Sequence, residues 1–448
     1  MSGKREGFTR MSPCYGWKGV FLPAMRWLYH LGIWFYVLGI RVAAWWMPKA
    51  RRWLEGRRQQ RQQMATWELP QGRQRIWMHC ASAGEYEQGR PVLEAIRKHC
   101  PHAFLILSFF SPSGYDARKT DSLPDLVLYL PADLPGRAEA FLHWLQPQLA
   151  LFVKYDFWYG YIRALRRQHI PGILISARFG HQSFFSALYM PFLMRLLRRF
   201  TYIFVQDEFS KQWLLQHGIH QVEVGGDTRF DRVLQIARQW QPPARPGLIE
   251  AFLQGRKAIV VGSSWPEDEA LWLDYARQKP VEDPLMLVPH EVHENRIAQL
   301  LKAWPGKAIR FSALEAAPEQ VLEGYSLLIV DRVGLLSRLY AYGGMAYVGG
   351  GFGAGIHNVL EAAVYGIPVI FGPHYQHFRE ACDLVSLGVA FPVNDSMSLD
   401  RVLQNLKEAK LDEMGRLARN YVEAHAGATG RIMRYLVENR FLTVSKNA

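Results

Sequence analysis

From Ile76 onward, short apolar runs alternate with stretches in which apolar residues recur at helical spacing. Strands are expected over 76–79, 104–108, 127–130, 149–153, 173–176, 202–205 and 222–224, with helices such as 86–98 and 209–217 between them. Nearly continuous apolar strands separated by helices are the pattern of a parallel sheet covered on both faces. The pattern breaks at Gln241-Pro242-Pro243-Ala244-Arg245-Pro246-Gly247 and restarts with strands expected over 258–261, 285–288, 327–330, 346–348 and 369–371. This predicts an α/β protein with two doubly wound, Rossmann-like domains, 64–240 and 241–448. Ligands should bind in a central cleft between the carboxyl ends of both sheets.

Residues 1–63 follow a different pattern. They hold twelve Lys or Arg against only Glu6 and Glu55, so +10 of the net +13 lies in the first seventh of the 448-residue chain. The rest is close to neutral, which argues against general nucleic-acid binding. Within the segment, 27–47 is apolar and Trp-rich, long enough to cross a bilayer, yet interrupted by His30 and Arg41. Arg26 precedes it, and Lys49, Arg51, Arg52, Arg57 and Arg58 follow. A membrane-associated helix is expected, spanning or lying in the interface, with a buried helix packed on the first domain as the alternative. No small-residue cleavage site follows, so a cleavable signal is not expected. Cys14, Cys80, Cys100 and Cys382 have neither metal spacing nor a paired framework, which fits a reducing cytoplasm.

The polar motifs fall just after strands. In the first half they include Ser82-Ala83-Gly84-Glu85, Lys154-Tyr155-Asp156 and Gly226-Asp227-Thr228-Arg229; in the second, Gly262-Ser263-Ser264, Pro289-His290-Glu291 and Val333-Gly334-Leu335. Glu85, beside Gly84 near a helix start, can serve as a general base on a hydroxyl, or simply be a first-turn glutamate favoured by the helix dipole. Arg229 and His290 could stabilise phosphate charge, although each residue type is more often a solvated surface group.

The most informative stretch is 345–378, where a strand enters a glycine-rich turn and His357 and Asn358 are expected to open a helix. Such a start can hold an anion, while Glu361, on the face shared with Asn358, can accept two ribose hydroxyls. Gly349, Gly351 and Ala354 formally fit a dinucleotide fingerprint, but Gly372 and Pro373 stand where its acid belongs. A tight turn without any ligand is the other alternative. No acidic cluster has metal spacing, so neither a metal nor a cofactor is expected.

Together these motifs resemble the 3-deoxy-D-manno-octulosonic acid (Kdo) transferase family. The resemblance rests on W-M-H-C-A-S-A-G-E, S-A-R-F, G-D-T-R-F-D, G-I-H-N-V-L-E-A-A and G-I-P-V-I-F-G-P in that order. It implies a GT-B glycosyltransferase that transfers Kdo from CMP-Kdo to a lipid A precursor, on the cytoplasmic side of the inner membrane. By the same resemblance, Glu85 is the general base and Arg229 the basic stabiliser. Donor contacts fall on Ser263, Pro289, His290, Val333, Gly334, Leu335, Asn358, Val359, Leu360 and Glu361. Acceptor-side candidates are Ser82, Gly84, Lys154, Asp156 and Arg178. The sequence departs from the family at Lys154, where a carboxylate is usual, at His290, where arginine is usual, and at Arg229, where many members carry lysine. Another GT-B enzyme, using a UDP-sugar on a lipid, is the competing reading.

Overall fold

The computed structural model describes residues 18–180, 186–243, 247–318 and 322–443. They form two compact units, 18–226 with 429–443, and 227–428.

In the first unit the strands are β1 (Arg75–Cys80), β2 (Phe104–Phe109), β3 (Leu126–Tyr129), β4 (Leu149–Val153), β5 (Gly172–Ala177), β6 (Tyr202–Val205) and β7 (Val222–Val224). They make one parallel sheet in the order β3-β2-β1-β4-β5-β6-β7. Strands 1, 2, 4 and 5 are buried on both faces, as their unbroken apolar character requires. Strand order reverses between β1 and β4, so the loops after them flank the crevice where doubly wound sheets hold ligands. Register sets His79 beside Ser108 on one side and Phe152 on the other.

The second unit contains β8 (Ala258–Ser264), β9 (Leu285–Pro289), β10 (Lys307–Arg310), β11 (Tyr325–Ile329), β12 (Gly343–Val348), β13 (Val369–Phe371) and β14 (Ala390–Pro392). They are again all parallel, in the order β10-β11-β9-β8-β12-β13-β14. Here the reversal lies between β8 and β12. The expected strands are all present; β10 and β14, at the two edges, were not expected.

The division of the chain differs from the expected boundary at the proline-rich segment. The helix Thr228–Gln239 belongs to the second unit, where Phe230, Val233 and Leu234 join its core. The helix Ala428–Glu438 packs on the first unit through Ile432 and Leu436, and Gln74 Nε2 donates to Phe441 O at 2.8 Å.

Nor do residues 18–63 stand apart. The helix Lys18–Ala43 is followed by Pro48–Met64 after a bend of 115°. Gln60 meets the edge strand β3 as another strand would, Nε2 donating to Tyr129 O at 2.8 Å and Oε1 accepting Tyr129 N–H at 2.6 Å. That covers backbone groups an exposed edge would leave open. Tyr29 Oη donates to Asp133 at 2.7 Å, fixing the first helix to the loop after β3. Among the described residues no single helix is long and apolar enough to cross a membrane, because the apolar run turns at residues 44–47 into a strongly basic helix. Trp27, Leu28, Leu31, Trp34, Phe35, Trp45 and Trp46 nonetheless remain exposed.

Candidate active site

In the first unit the site candidates gather at the ends of β1, β4 and β5. Ser82 is the extended N-cap of the helix Ala83–His99, and Glu85 occupies its first turn. The Ser82 hydroxyl donates to Glu85 Oε2, which orients the carboxylate at a helix start that favours its charge. Gly84 is exposed between them. Cys80, just before, is fully buried; burial and then the Glu85, Asp156 and Glu87 carboxylates push its thiol well up, so it stays protonated.

Asp156, the acceptor-side candidate after β4, has a closed setting. It is largely buried, and its Oδ2 meets Nε2 of the fully buried His79. His79 Nδ1 lies 2.8 Å from Ser108 Oγ, which also accepts the Trp77 indole N–H at 2.8 Å. These four residues form one polar chain: Trp77 donates to Ser108 Oγ, His79 Nδ1 is within reach of both Ser108 Oγ and Ser108 O (3.0 Å), and His79 Nε2 is in close contact with Asp156. Since β1 and β4 flank the reversal, this chain fixes the loop after β4 against the strand that leads to Glu85. The sequence reading named Asp156 but not His79 as a site residue; a lone histidine in an apolar strand carries no signal of its partner.

Lys154 follows β4 with φ 61°, a left-handed conformation unusual outside glycine, and its N–H donates to Ile175 O at 2.9 Å. Arg178, after β5, lies 3.3 Å from Asp207, which caps the helix Glu208–Gln216. Lys154 and Arg178 thus stand at the ends of neighbouring strands, on the same edge of the sheet as Glu85.

In the second unit the glycine turn after β12 is pressed against its neighbours. A Cβ on Gly349 would come within 2.4 Å of Ser263 O, and one on Gly351 within 2.6 Å of Gly372 N. Ser263 itself has φ 52°. The turn is tied down by Asp268, fully buried in the helix Pro266–Gln278: Oδ2 accepts N–H from Gly350 and Trp265, both at 2.9 Å, and Oδ1 accepts Tyr347 Oη–H at 2.7 Å. Burial holds this carboxyl above its ordinary range despite the three donors. Sequence reasoning passed over Asp268 because an acid in a first helical turn is commonplace.

The helix expected to open at His357 is instead one turn, Leu360–Ala363. The chain from 349 to 358 is spent folding the turn onto itself, with Gly353 and Gly355 N–H donating to Gly350 O and His357 N–H to Gly349 O, and Gly366 follows at φ 71°. A phosphate at this point would therefore gain little from a helix dipole, contrary to the expectation. Asn358 and Glu361 do share a face: Asn358 Nδ2 donates to Glu361 Oε1 at 3.2 Å. Val359 and Leu360, between them, are fully buried in the core.

Pro289 ends β9, and His290 stacks across both Trp265 (centroids 4.7 Å apart) and His357 (4.4 Å). Trp265 Nε1 donates to His357 Nε2 at 2.8 Å, which leaves the His357 proton on Nδ1. Burial and then nearby His290 push His357 down to about 4, so it is neutral at physiological pH. Val333 and Gly334 (φ 89°) lie on the exposed loop after β11, with Leu335 half-buried. Arg229, in the first turn of Thr228–Gln239, pairs with Asp227 (2.7 Å) and Glu380 (2.8 Å). That trio is net negative, so its guanidinium is already compensated.

Two parallel doubly wound sheets, each with candidate residues at the carboxyl ends of its strands, define a GT-B fold. Residues 53–232 match the family "3-Deoxy-D-manno-octulosonic-acid transferase (kdotransferase)". A protein of that name from Bordetella pertussis is 28% identical over 378 residues, covering 80% of this chain and 86% of that one. Its namesake from Rickettsia bellii is 28% identical over 306 residues, 66% of this chain and 71% of that one. Among solved structures, UDP-GlcNAc 2-epimerase from Neisseria meningitidis superposes with a TM-score of 0.55 at 15% identity, covering 81% of this chain and all of that one, a likeness of fold alone. Over most of its length the chain is therefore similar to Kdo transferases.

Proposed function

We propose that this glycosyltransferase moves Kdo from CMP-Kdo to a hydroxyl of a lipid A precursor by single displacement with inversion. Glu85 Oε1 takes the hydroxyl proton as that oxygen attacks the anomeric carbon; the bond from that carbon to the CMP phosphate oxygen breaks, and CMP leaves with the electron pair. The observation that carries this reading is the Ser82–Glu85 pair at a helix start beside the β1/β4 reversal, which gives an oriented carboxylate a place to receive a proton.

The donor would lie on the second unit, with its ribose hydroxyls on Glu361 and the phosphate near His290 and the loop 333–335. Ser263, Asn358 and Pro289 would line the same pocket, and Val359 and Leu360 would act from beneath as packing. Arg229 would stabilise leaving charge only after Glu380 or Asp227 releases it. On the first unit, Ser82, Gly84, Lys154 and Arg178 would meet the anionic acceptor, with Asp156 positioning His79. The exposed Trp and Leu side chains of the first helix, together with the basic second helix, would dock the enzyme on the cytoplasmic face of the inner membrane.

A UDP-sugar donor is the competing possibility, and nucleotide competition separates the two. CMP should displace a bound fluorescent cytidine nucleotide at concentrations where UDP does not. Equal displacement by UDP would overturn the CMP assignment.

A further inference from the structure

Between the two N-terminal helices and the loop after β3 lies a cavity of about 470 Å³. Its floor is apolar, with Val37, Trp53, Leu54 and Phe141, while Arg41, Arg57, Arg58, Arg61 and Arg137 surround it. No acidic residue lines it. Arg41, Arg58, Arg61 and Arg137 are exposed, and among the described residues none of the four has a side-chain hydrogen bond or ion pair.

Arg57 has a different place. Its guanidinium sits 3.8 Å over the Trp53 ring and donates to Phe110 O at 2.7 Å and Leu130 O at 3.0 Å, partners that carry no neutralising charge. Burial pushes it down to about 9, and the neighbouring tyrosines only partly offset this. Trp53 is itself buried, and its indole N–H has no acceptor. Five arginines without a carboxylate, an unmet donor and an apolar floor leave the cavity without its complement, and its charge specifies that complement as anionic.

We infer that this cavity is a binding site for an anionic membrane phospholipid, the phosphate held by the arginines and the start of an acyl chain lying on the apolar floor. Continuity favours a membrane lipid over a soluble anion: Val37 and Arg41 belong to the same helix that exposes Trp27, Leu31 and Trp34. A helix lying in the interface would bring the cavity to headgroup depth. The inference rests on the proposed membrane docking and adds to it a lipid class and a place.

The test uses the full chain and monomeric dihexanoyl phosphatidic acid below its micellar concentration, followed by calorimetry. Dihexanoyl phosphatidylcholine and inorganic phosphate serve as comparison ligands. Phosphatidic acid should bind saturably, and more tightly than either. The Arg41→Ala/Arg58→Ala/Arg61→Ala variant should bind it on the order of a hundredfold more weakly, at about fivefold per arginine. A control with the same charge change at exposed Lys98, Arg166 and Arg167 should bind normally. Equal binding by the triple variant, or phosphate binding as tightly as phosphatidic acid, would overturn the inference.

Two further arms separate this idea from its neighbours. If the triple variant raises KM for detergent-dispersed acceptor as much as it weakens phosphatidic acid, the cavity is an acceptor subsite and the phospholipid assignment fails. Flotation of wild type with purely zwitterionic vesicles reads docking alone. Failure to float with vesicles of either composition defeats the docking proposal, whereas flotation without any preference for anionic vesicles defeats only the cavity.

Discussion

The Asp268 carboxylate accepts the Gly350 N–H at 2.9 Å, joining the helix after β8 to the glycine turn after β12 across the point where strand order reverses. The same oxygen takes the N–H of Trp265, which stacks on His290. One buried side chain therefore sets two walls of the proposed donor site. Asp268→Ala should destabilise the protein by about 1–3 kcal/mol for each buried donor left unmet and should weaken CMP binding. Asp268→Asn keeps one oxygen for the N–H groups and can turn its amide toward the Tyr347 oxygen, so it should recover most of both. Denaturant titration and calorimetry read the two effects; CMP affinity unchanged in the Ala variant would confine Asp268 to a fold-holding role.

Glu361, hydrogen-bonded by Asn358 at 3.2 Å, is the proposed partner of the ribose hydroxyls. Glu361→Ala should cost about 1.5–3 kcal/mol of donor binding, the range for hydrogen bonds to a charged group, and leave acceptor KM nearly unchanged. A 2′-deoxy nucleotide should bind wild type more weakly but the variant no differently from CMP. Identical affinities of wild type for both nucleotides would place the ribose elsewhere.

Burial raises Asp133 to about 6, although Tyr29 Oη–H and Gly160 N–H both donate to it. A carboxyl whose folded value lies above its unfolded one favours the protonated state. Its stabilising share is therefore complete below about pH 4 and is lost as pH rises to about 6. Above that, wild type carries an unfavourable contribution on the order of 2–3 kcal/mol, which Asp133→Asn removes. The variant should gain relative stability across this window and hold the gain at pH 8. Parallel stability profiles for the two proteins would contradict this.

Glu85→Gln preserves size and the bond from Ser82 but cannot take a proton. Turnover should fall by roughly a hundredfold or more, the scale for losing a positioned base, with CMP affinity intact. Near-normal turnover would leave Glu85 as an ordinary first-turn glutamate.

What could be read from the sequence follows from which interactions are local. Strands such as Leu149–Val153 and Val369–Phe371 are buried on both faces, so unbroken apolar runs mark them. The edge strands Lys307–Arg310 and Ala390–Pro392 lack that signal, since one carries two charges and the other ends in proline. Nothing local in the helix Ala428–Glu438 says that Ile432 and Leu436 pack on the first sheet. Similarly, Glu85 and Glu361 stand beside their partners in sequence, at spacings of three, and were legible. His79 with Asp156, and Asp268 with Gly350, are 77 and 82 residues apart and meet only because strands flanking a reversal are neighbours. The one-turn helix at Leu360–Ala363 was overestimated because its apolar spacing continues into Val364 and Tyr365, whereas the glycine turn has already taken the residues before it.

The central claim is the transfer itself. Incubation of the purified full chain with CMP-Kdo and a detergent-dispersed tetraacylated lipid A precursor, followed by mass spectrometry of the lipid, tests it directly. The account predicts a lipid heavier by one or more Kdo residues, formed with one CMP released per Kdo added and slowed by roughly a hundredfold or more in Glu85→Gln. An unmodified lipid in the presence of an intact, CMP-binding enzyme, or CMP released without any gain in lipid mass, would contradict it.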